Sequence, residues 1–242
     1  MKRASQLSFL LILLFSIACN DPCDNGNCPS DNPPPVYTAF WGDIFDAIGA
    51  GAYIGDDKII LFNLAGDQYV IADQNKLELF GPYNLNDPNS FMGNCPFEQI
   101  SAIQYFRDDR LYMFDANGTQ YCRMLLNDKA YSNPTPITQW GNDNHPFDLY
   151  GVSACLHIDY HSSLHFDKQG TQVASYDLNT LDMSSASPIQ DSNNSLQIDN
   201  VGASVFLPLD SDYAILFTQE GTSYTILNIN TQEYEGVYKL KN

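Results

Sequence analysis

Apolar and polar positions along this 242-residue chain alternate over short runs, and the runs return four times. Read without gaps, the repeats are FDAIGAGAYIGDDKIILFNLAGDQYVIAD from Phe45, FEQISAIQYFRDDRLYMFDANGTQYCRML from Phe97, YGVSACLHIDYHSSLHFDKQGTQVASYD from Tyr150 and IDNVGASVFLPLDSDYAILFTQEGTSYTILN from Ile198. Phe62, Phe114, Phe166 and Phe217 stand 52, 52 and 51 residues apart. Gly66, Gly118, Gly170 and Gly221 keep the same register, as do Asn75, Asn127, Asn179 and Asn230. A period of this length marks a solenoid, propeller or array, because one unit cannot bury its apolar face without neighbours.

Within each unit the alternation predicts short strands separated by turns. A segment of small residues opens each unit: Ile48-Gly49-Ala50, Ile100-Ser101-Ala102, Val152-Ser153-Ala154 and Val201-Gly202-Ala203. An apolar second strand ends on the phenylalanine column, over Ile59 to Phe62, Leu111 to Phe114, Leu164 to Phe166 and Ala214 to Phe217. The glycine column supplies the next turn, where φ > 0 is open to a residue without a β-carbon. A third strand follows, with Tyr69, Tyr121 and Tyr224 three residues on and Val173 as the exception. The asparagine column fits a further turn into a less regular fourth segment. Four strands in each of four units predict an all-β, four-bladed β-propeller. Its innermost strands crowd a narrow axis, which accounts for the Gly, Ala and Ser, while the aromatic and branched residues fill the spaces between blades.

The strings FDAIGA, FEQISA and IDNVGA, each leading to a strand that ends in Phe and then to G-x-x-Y, resemble the hemopexin-like repeat. The connecting segment Asn133 to Asp148, NPTPITQWGNDNHPFD, is similar to that family's linker, and Ser187-Pro188-Ile189 repeats its Pro-Ile pair. The resemblance covers residues 40–242, with blades at about 45–92, 93–144, 145–195 and 196–242. It implies main-chain carbonyls aimed into an axial channel at Asp46, Glu98, Tyr150 and Asp199, where a calcium or sodium ion is held. It also implies a disulfide closing the first blade on the fourth. No cysteine follows Cys155, so closure here is expected from packing and strand pairing. The third unit places Tyr150, not Asp148, in the acidic column, which implies two extra residues or a bulge before Val152.

The first residues read as an export signal. Met1-Lys2-Arg3 is basic, and Leu7 to Ile17 is an apolar run too short to span a membrane as a helix. Ser16-Ile17-Ala18-Cys19 resembles a bacterial lipoprotein signal, with residues 1–18 removed and Cys19 lipidated. Residues 19–39, rich in Pro, Asn and Asp, read as a flexible acidic tether. The expected location is the bacterial outer membrane, lipid-anchored and surface-exposed, with a propeller that works as a monomer. The formal charge is −18, and loss of Lys2 and Arg3 makes it more negative. Such a chain repels nucleic acid and anionic lipid, so membrane contact would run through the anchor alone.

Apart from Cys19, five cysteines remain. Cys23 with Cys28 could close a loop in the tether, and Cys95 with Cys155 is the preferred second pair, leaving Cys122 free. His157, His161 and His165 are four apart but fall on strand, turn and strand, so a helical ligand ladder is ruled out and they read as rim residues of the third blade. Asp56-Asp57 and Asp108-Asp109 read as solvated turn residues. No Cys-His pair, serine elbow or phosphate loop sits in a supporting context, so the expectation is a non-enzymatic binding module that recruits an envelope or extracellular protein or small ligand. One alternative is a haem- or iron-binding lipoprotein, with His145 in a linker as the axial ligand. A second is a glycan-acting enzyme or glycan-binding protein.

Overall fold

The computed structural model describes residues 44–106, 109–141, 145–159, 161–189, 198–207 and 212–240. Each sheet is built from one consecutive stretch of chain. The first runs β1 (Ile48–Gly55), β2 (Lys58–Asn63), β3 (Gln68–Asp73) and β4 (Glu78–Asn84) in that spatial order, all antiparallel. The second holds β5 (Ile100–Phe106), β6 (Arg110–Asp115), β7 (Gln120–Leu125) and a fourth position split into β8 (Ala130–Tyr131) and β9 (Thr135–Pro136). The third repeats that plan with β10 (Val152–Asp159), β11 (Ser162–Asp167), β12 (Gln172–Asp177), β13 (Asp182–Met183) and β14 (Ser187–Pro188). The fourth is β15 (Ala203–Phe206), β16 (Tyr213–Phe217), β17 (Ser223–Asn228) and β18 (Tyr234–Lys239). These four sheets are the blades of a four-bladed β-propeller.

The turns explain the columns. After the second strand of the first three blades a side-chain oxygen caps the turn: Asn63 Oδ1 accepts the Asp67 and Gln68 N–H groups, Asp115 Oδ1 those of Thr119 and Gln120, and Asp167 Oδ1 those of Thr171 and Gln172. Such Asx caps hold the loop so that the column glycine can turn left-handed. The asparagine column reaches across its own blade to the turn between the first two strands: Asn127 Nδ2 donates to Asp109, Asn230 Nδ2 to Asp212, and Asn179 Oδ1 meets His161 Nδ1.

Four apolar cores lie between neighbouring blades. Ile48, Ile59, Leu61 and Val70 of the first blade pack on Val205, Ile215, Phe217 and Tyr224 of the fourth. Phe62 and Tyr69 meet Ile100, Leu111 and Met113; Phe114 meets Val152 and Tyr176; Phe166 meets Val201 and Leu216. Each phenylalanine of the column thus belongs to the core shared with the following blade, with Phe217 completing the circle. The fourth blade closes on the first through this packing, with no strand shared between the two sheets among the described residues.

The main chain stitches the same seams. The first residue of each unit donates its N–H to the column glycine of the preceding blade: Ile100 to Gly66, Val152 to Gly118, Val201 to Gly170 and Ile48 to Gly221, at 3.0, 3.1, 2.9 and 3.0 Å. A β-carbon on any of these glycines would come within 2.0 to 2.2 Å of that neighbour's main chain. Only glycine lets the blades approach this closely.

The two extra residues of the third unit lie between Phe147, buried in the core where Phe45 and Phe97 stand in theirs, and Val152. They wind into turns in which Asp148 N–H donates to His145 O and Gly151 N–H to Phe147 O. The inner strand itself needs no added bulge to absorb them.

Gln104 on β5 is 1% exposed, and neither its amide oxygen nor its nitrogen has a hydrogen-bond partner among the described residues. Burying an amide unpaired costs about 1–3 kcal/mol. Gln104→Leu should therefore raise the melting temperature, the gain being about 1–2 kcal/mol in thermal unfolding. A destabilised variant would show that the amide is satisfied in solution.

Candidate functional site

The axis is where the blades bring equivalent positions together. Counting from Ile48, Ile100, Val152 and Val201, the next residue in each blade is Gly49, Ser101, Ser153 or Gly202, and all four line a cavity of about 80 Å³ at one end of the ring. Lys168 and Gln219 also line it. Ser101 Oγ donates within hydrogen-bonding reach of both Asp115 O and Val152 O at 2.8 Å, and Ser153 Oγ contacts Asp167 O at 2.7 Å and Val201 O at 2.9 Å. Each hydroxyl therefore spans its own blade and the next.

Half-buried Lys168 holds its ammonium at this polar mouth, donating to Ala116 O across the boundary of the second and third blades at 2.7 Å. Burial lowers its pKa, and the charge of Asp115 opposes that shift. An ammonium has three donors, so one bond to Ala116 leaves capacity for an acceptor on a ligand.

Five residues into each inner strand comes a second ring. Tyr53, Tyr105, His157 and Phe206 touch in sequence around the axis, with neighbouring ring centroids at 5.4 Å (Tyr53–Tyr105), 6.2 Å (Tyr105–His157), 6.4 Å (His157–Phe206) and 6.3 Å (Phe206–Tyr53). Their planes meet at 62° to 89°, the edge-to-face arrangement that ring quadrupoles favour. All four side chains are partly exposed, and they form an aromatic collar at the opposite end of the axis. Sequence reading missed this column. Its signal was a constant offset of five residues from the first position of each unit, hidden by the mixture of Tyr, His and Phe.

The residues picked out from sequence fall as follows. Asp46, Glu98, Tyr150 and Asp199 each stand two residues ahead of the first position of a unit, at the polar-mouth end, with exposed side chains; Tyr150 is 61% exposed. Among the described residues no group of three or more His, Cys, Asp or Glu side chains is placed to hold a metal. Cys19, Cys23 and Cys28 lie outside the described residues.

Cys95 and Cys155 are not paired. Both are buried free thiols in different inter-blade cores, Cys95 between the first and second blades and Cys155 between the second and third. The thiol against Cys95 is Cys122, and that hydrogen bond is the main influence on both: it draws the Cys95 pKa down and, with burial, holds Cys122 far up in its protonated form. Burial alone raises Cys155.

The three spaced histidines have three separate fates. His157 joins the collar, and His161 faces Asn179 on an exposed turn. His165 is not at a rim at all: it is 0% exposed, with its Nδ1 3.0 Å from Nε2 of His145. His145, read from sequence as a linker residue, is itself 1% exposed. The Phe147 N–H donates to His145 Nδ1, which puts the His145 proton on Nε2, from where it is donated to His165. Trp140, Phe114 and Tyr176 pack around His165. Burial lowers the pKa of His145 to about 3, and burial plus the neighbouring His145 lowers that of His165 well below its ordinary value. The pair is a neutral core hydrogen bond between the second and third blades.

No protein-family model matches the chain, and no curated protein matches it significantly. Solved structures do. A hemopexin-fold protein from cow pea superimposes with a TM-score of 0.62 at 12% identity, covering 80% of this chain and 93% of its own. A seed albumin from Lathyrus sativus gives 0.65 at 14% identity over 80% and 92%. The fold is the four-bladed hemopexin fold. A plant lectin with two metal-binding sites from Cicer arietinum shares it, with a TM-score of 0.62 at 17% identity over 79% of this chain and 92% of the lectin. At these identities the likeness is one of architecture, and what the propeller does has to be read from its own axis.

Proposed function

We propose that this chain is a non-enzymatic binding module that takes its ligand on the propeller axis. The observation that carries the reading is the divergence of equivalent positions there. At the phenylalanine and glycine columns the blades agree and pack, whereas at the polar mouth one blade offers Lys168 where the others place Leu64, Ala116 and Gln219. A lone ammonium among small residues, with donors to spare, suits a carboxylate or hydroxyl of a protein or glycan. The lectin among the similar folds supports a glycan as the ligand class beside a protein.

In this proposal Cys19 carries a lipid that holds the propeller at the outer membrane, and the partner is an envelope or extracellular molecule. A calcium or sodium ion at the carbonyls of Asp46, Glu98, Tyr150 and Asp199 would be structural. The charge of Lys168 at the same mouth weakens the affinity expected for it. Haem capture is disfavoured, since His145 is buried with both ring nitrogens engaged.

A glycan array and a pull-down of envelope extract with the full chain test the reading. The expected result is retention of a ligand that Lys168→Ala loses by about tenfold or more, at unchanged melting temperature. Retention of nothing by the unaltered chain would leave a structural role.

A further inference from the structure

Beneath the aromatic collar lies a void of about 10 Å³, lined by Gly51, Cys155 and Ser204 together with the collar rings. That is the room of about one water molecule. Two buried polar atoms of its lining have no partner among the described residues, Ser204 Oγ and His157 Nδ1, and Ser204 is only 2% exposed. Buried polar groups are nearly always paired, so two orphans on one small void call for an occupant.

We propose that the collar is a binding site for a primary ammonium group, R–NH3+, carried by a small alkylamine. This rests on the reading of the chain as a binding module and names a ligand class for the end of the axis opposite Lys168.

Four features converge on that chemistry. Neighbouring ring centroids stand 5.4 to 6.4 Å apart around the axis, so a cation seated among them lies within the ~6 Å reach of a cation–π contact. Carboxylates stand just outside the rings: Tyr105 Oη donates to Asp109 Oδ1 at 3.2 Å, Asp57 and Asp56 lie beside Tyr53, and Asp159 lies beside His157. They draw a cation toward the collar and repel an anion. Ser204 Oγ and, in the tautomer protonated at Nε2, His157 Nδ1 are acceptors for N–H groups. Burial holds His157 neutral, with Asp159 partly opposing.

Size and hydrogen bonding then choose among cations. A quaternary ammonium exceeds the void and brings no N–H for Ser204. A neutral alcohol fills the space and satisfies the serine, yet gains nothing from the ring faces or the carboxylates.

Titration of the full chain with n-butylammonium, tetramethylammonium and butan-1-ol, followed by calorimetry and by the tyrosine ring signals in NMR, tests the site. Saturable binding of butylammonium is expected, weaker by about tenfold or more for tetramethylammonium and undetectable for butan-1-ol. Ser204→Ala, which removes a hydroxyl with no partner among the described residues and so folds at least as well, should weaken butylammonium about fivefold or more, and Tyr105→Leu should do the same. Absence of saturable butylammonium binding would mean that the void holds a structural water only and would overturn the proposal. So would equal binding of either control, or unchanged affinity in Ser204→Ala. Loss of the collar site with ligand retention through Lys168 intact would sink this inference alone; the reverse would sink only the assignment of the polar mouth.

Discussion

Gly221→Ala is expected to destabilise the propeller by roughly 3–5 kcal/mol, among the largest effects a single methyl group can have. Gly221 sits at φ +67°, a conformation that costs an alanine about 1–2 kcal/mol. Its new β-carbon would lie 2.2 Å from Ile48 O and 2.6 Å from Ile48 N. Those are main-chain atoms of another blade, so no rotamer change relieves the contact. The blades must part, losing the bond from Ile48 N–H to Gly221 O and loosening the core of Ile48, Phe217 and Tyr224. At about 2–4 °C per kcal/mol for a domain of this size, the melting temperature should fall by roughly 6–20 °C. Gly118→Ala, whose β-carbon would meet Val152 O and N at 2.2 Å, should cost a similar amount. A loss under about 1 kcal/mol at either position would show that the seam yields more easily than its geometry implies.

The second large effect is with acid. His145 and His165 are neutral in the folded protein, with His145 lowered to about 3 by burial and His165 held well below its ordinary value by burial and by its neighbour. Unfolding returns both to a pKa near 6.5. Above that value neither form of the chain takes up a proton at these sites, and stability is flat. Below it the unfolded chain binds protons that the folded one refuses, so stability falls by up to about 1.4 kcal/mol per pH unit for each histidine, down to the folded value. Partly buried His157 contributes in the same direction, with Asp159 partly opposing. Denaturant unfolding between pH 7.5 and 4 should show this slope, and His165→Phe should remove about half of it even if its neutral-pH stability changes. An unaltered slope in that variant would assign the acid sensitivity to carboxylates instead.

The ring was legible in the sequence because each seam repeats one physical demand: a phenylalanine for the core, a glycine for close approach, a small residue at the hub. Three spaced residues per blade suffice to read that. The His145–His165 pair was not legible, since its members are 20 residues apart and meet only when the linker folds onto the third blade. Spacing four apart drew attention to His157, His161 and His165, yet a strand, a turn and a strand send those side chains to three places. Position along the inner edges pairs Cys95 with Cys155. Membership in different inter-blade cores decided otherwise, and Cys122 proved to be the neighbour. The collar escaped because its column varies in residue type while keeping ring shape, which a search for identical residues cannot find.

The serine hydroxyls that span the seams are not shared equally around the circle. Ser101 ties the second blade to the third and Ser153 ties the third to the fourth, while Gly49 and Gly202 offer no hydroxyl to the blades that follow them. Blade one is thus flanked by the two joints that lack a serine tie. Thermal breathing should begin there, with the amides of β2 and β3 exchanging with deuterium before those of β11 and β12, so that the molecule opens as a three-leaf arc releasing its first leaf.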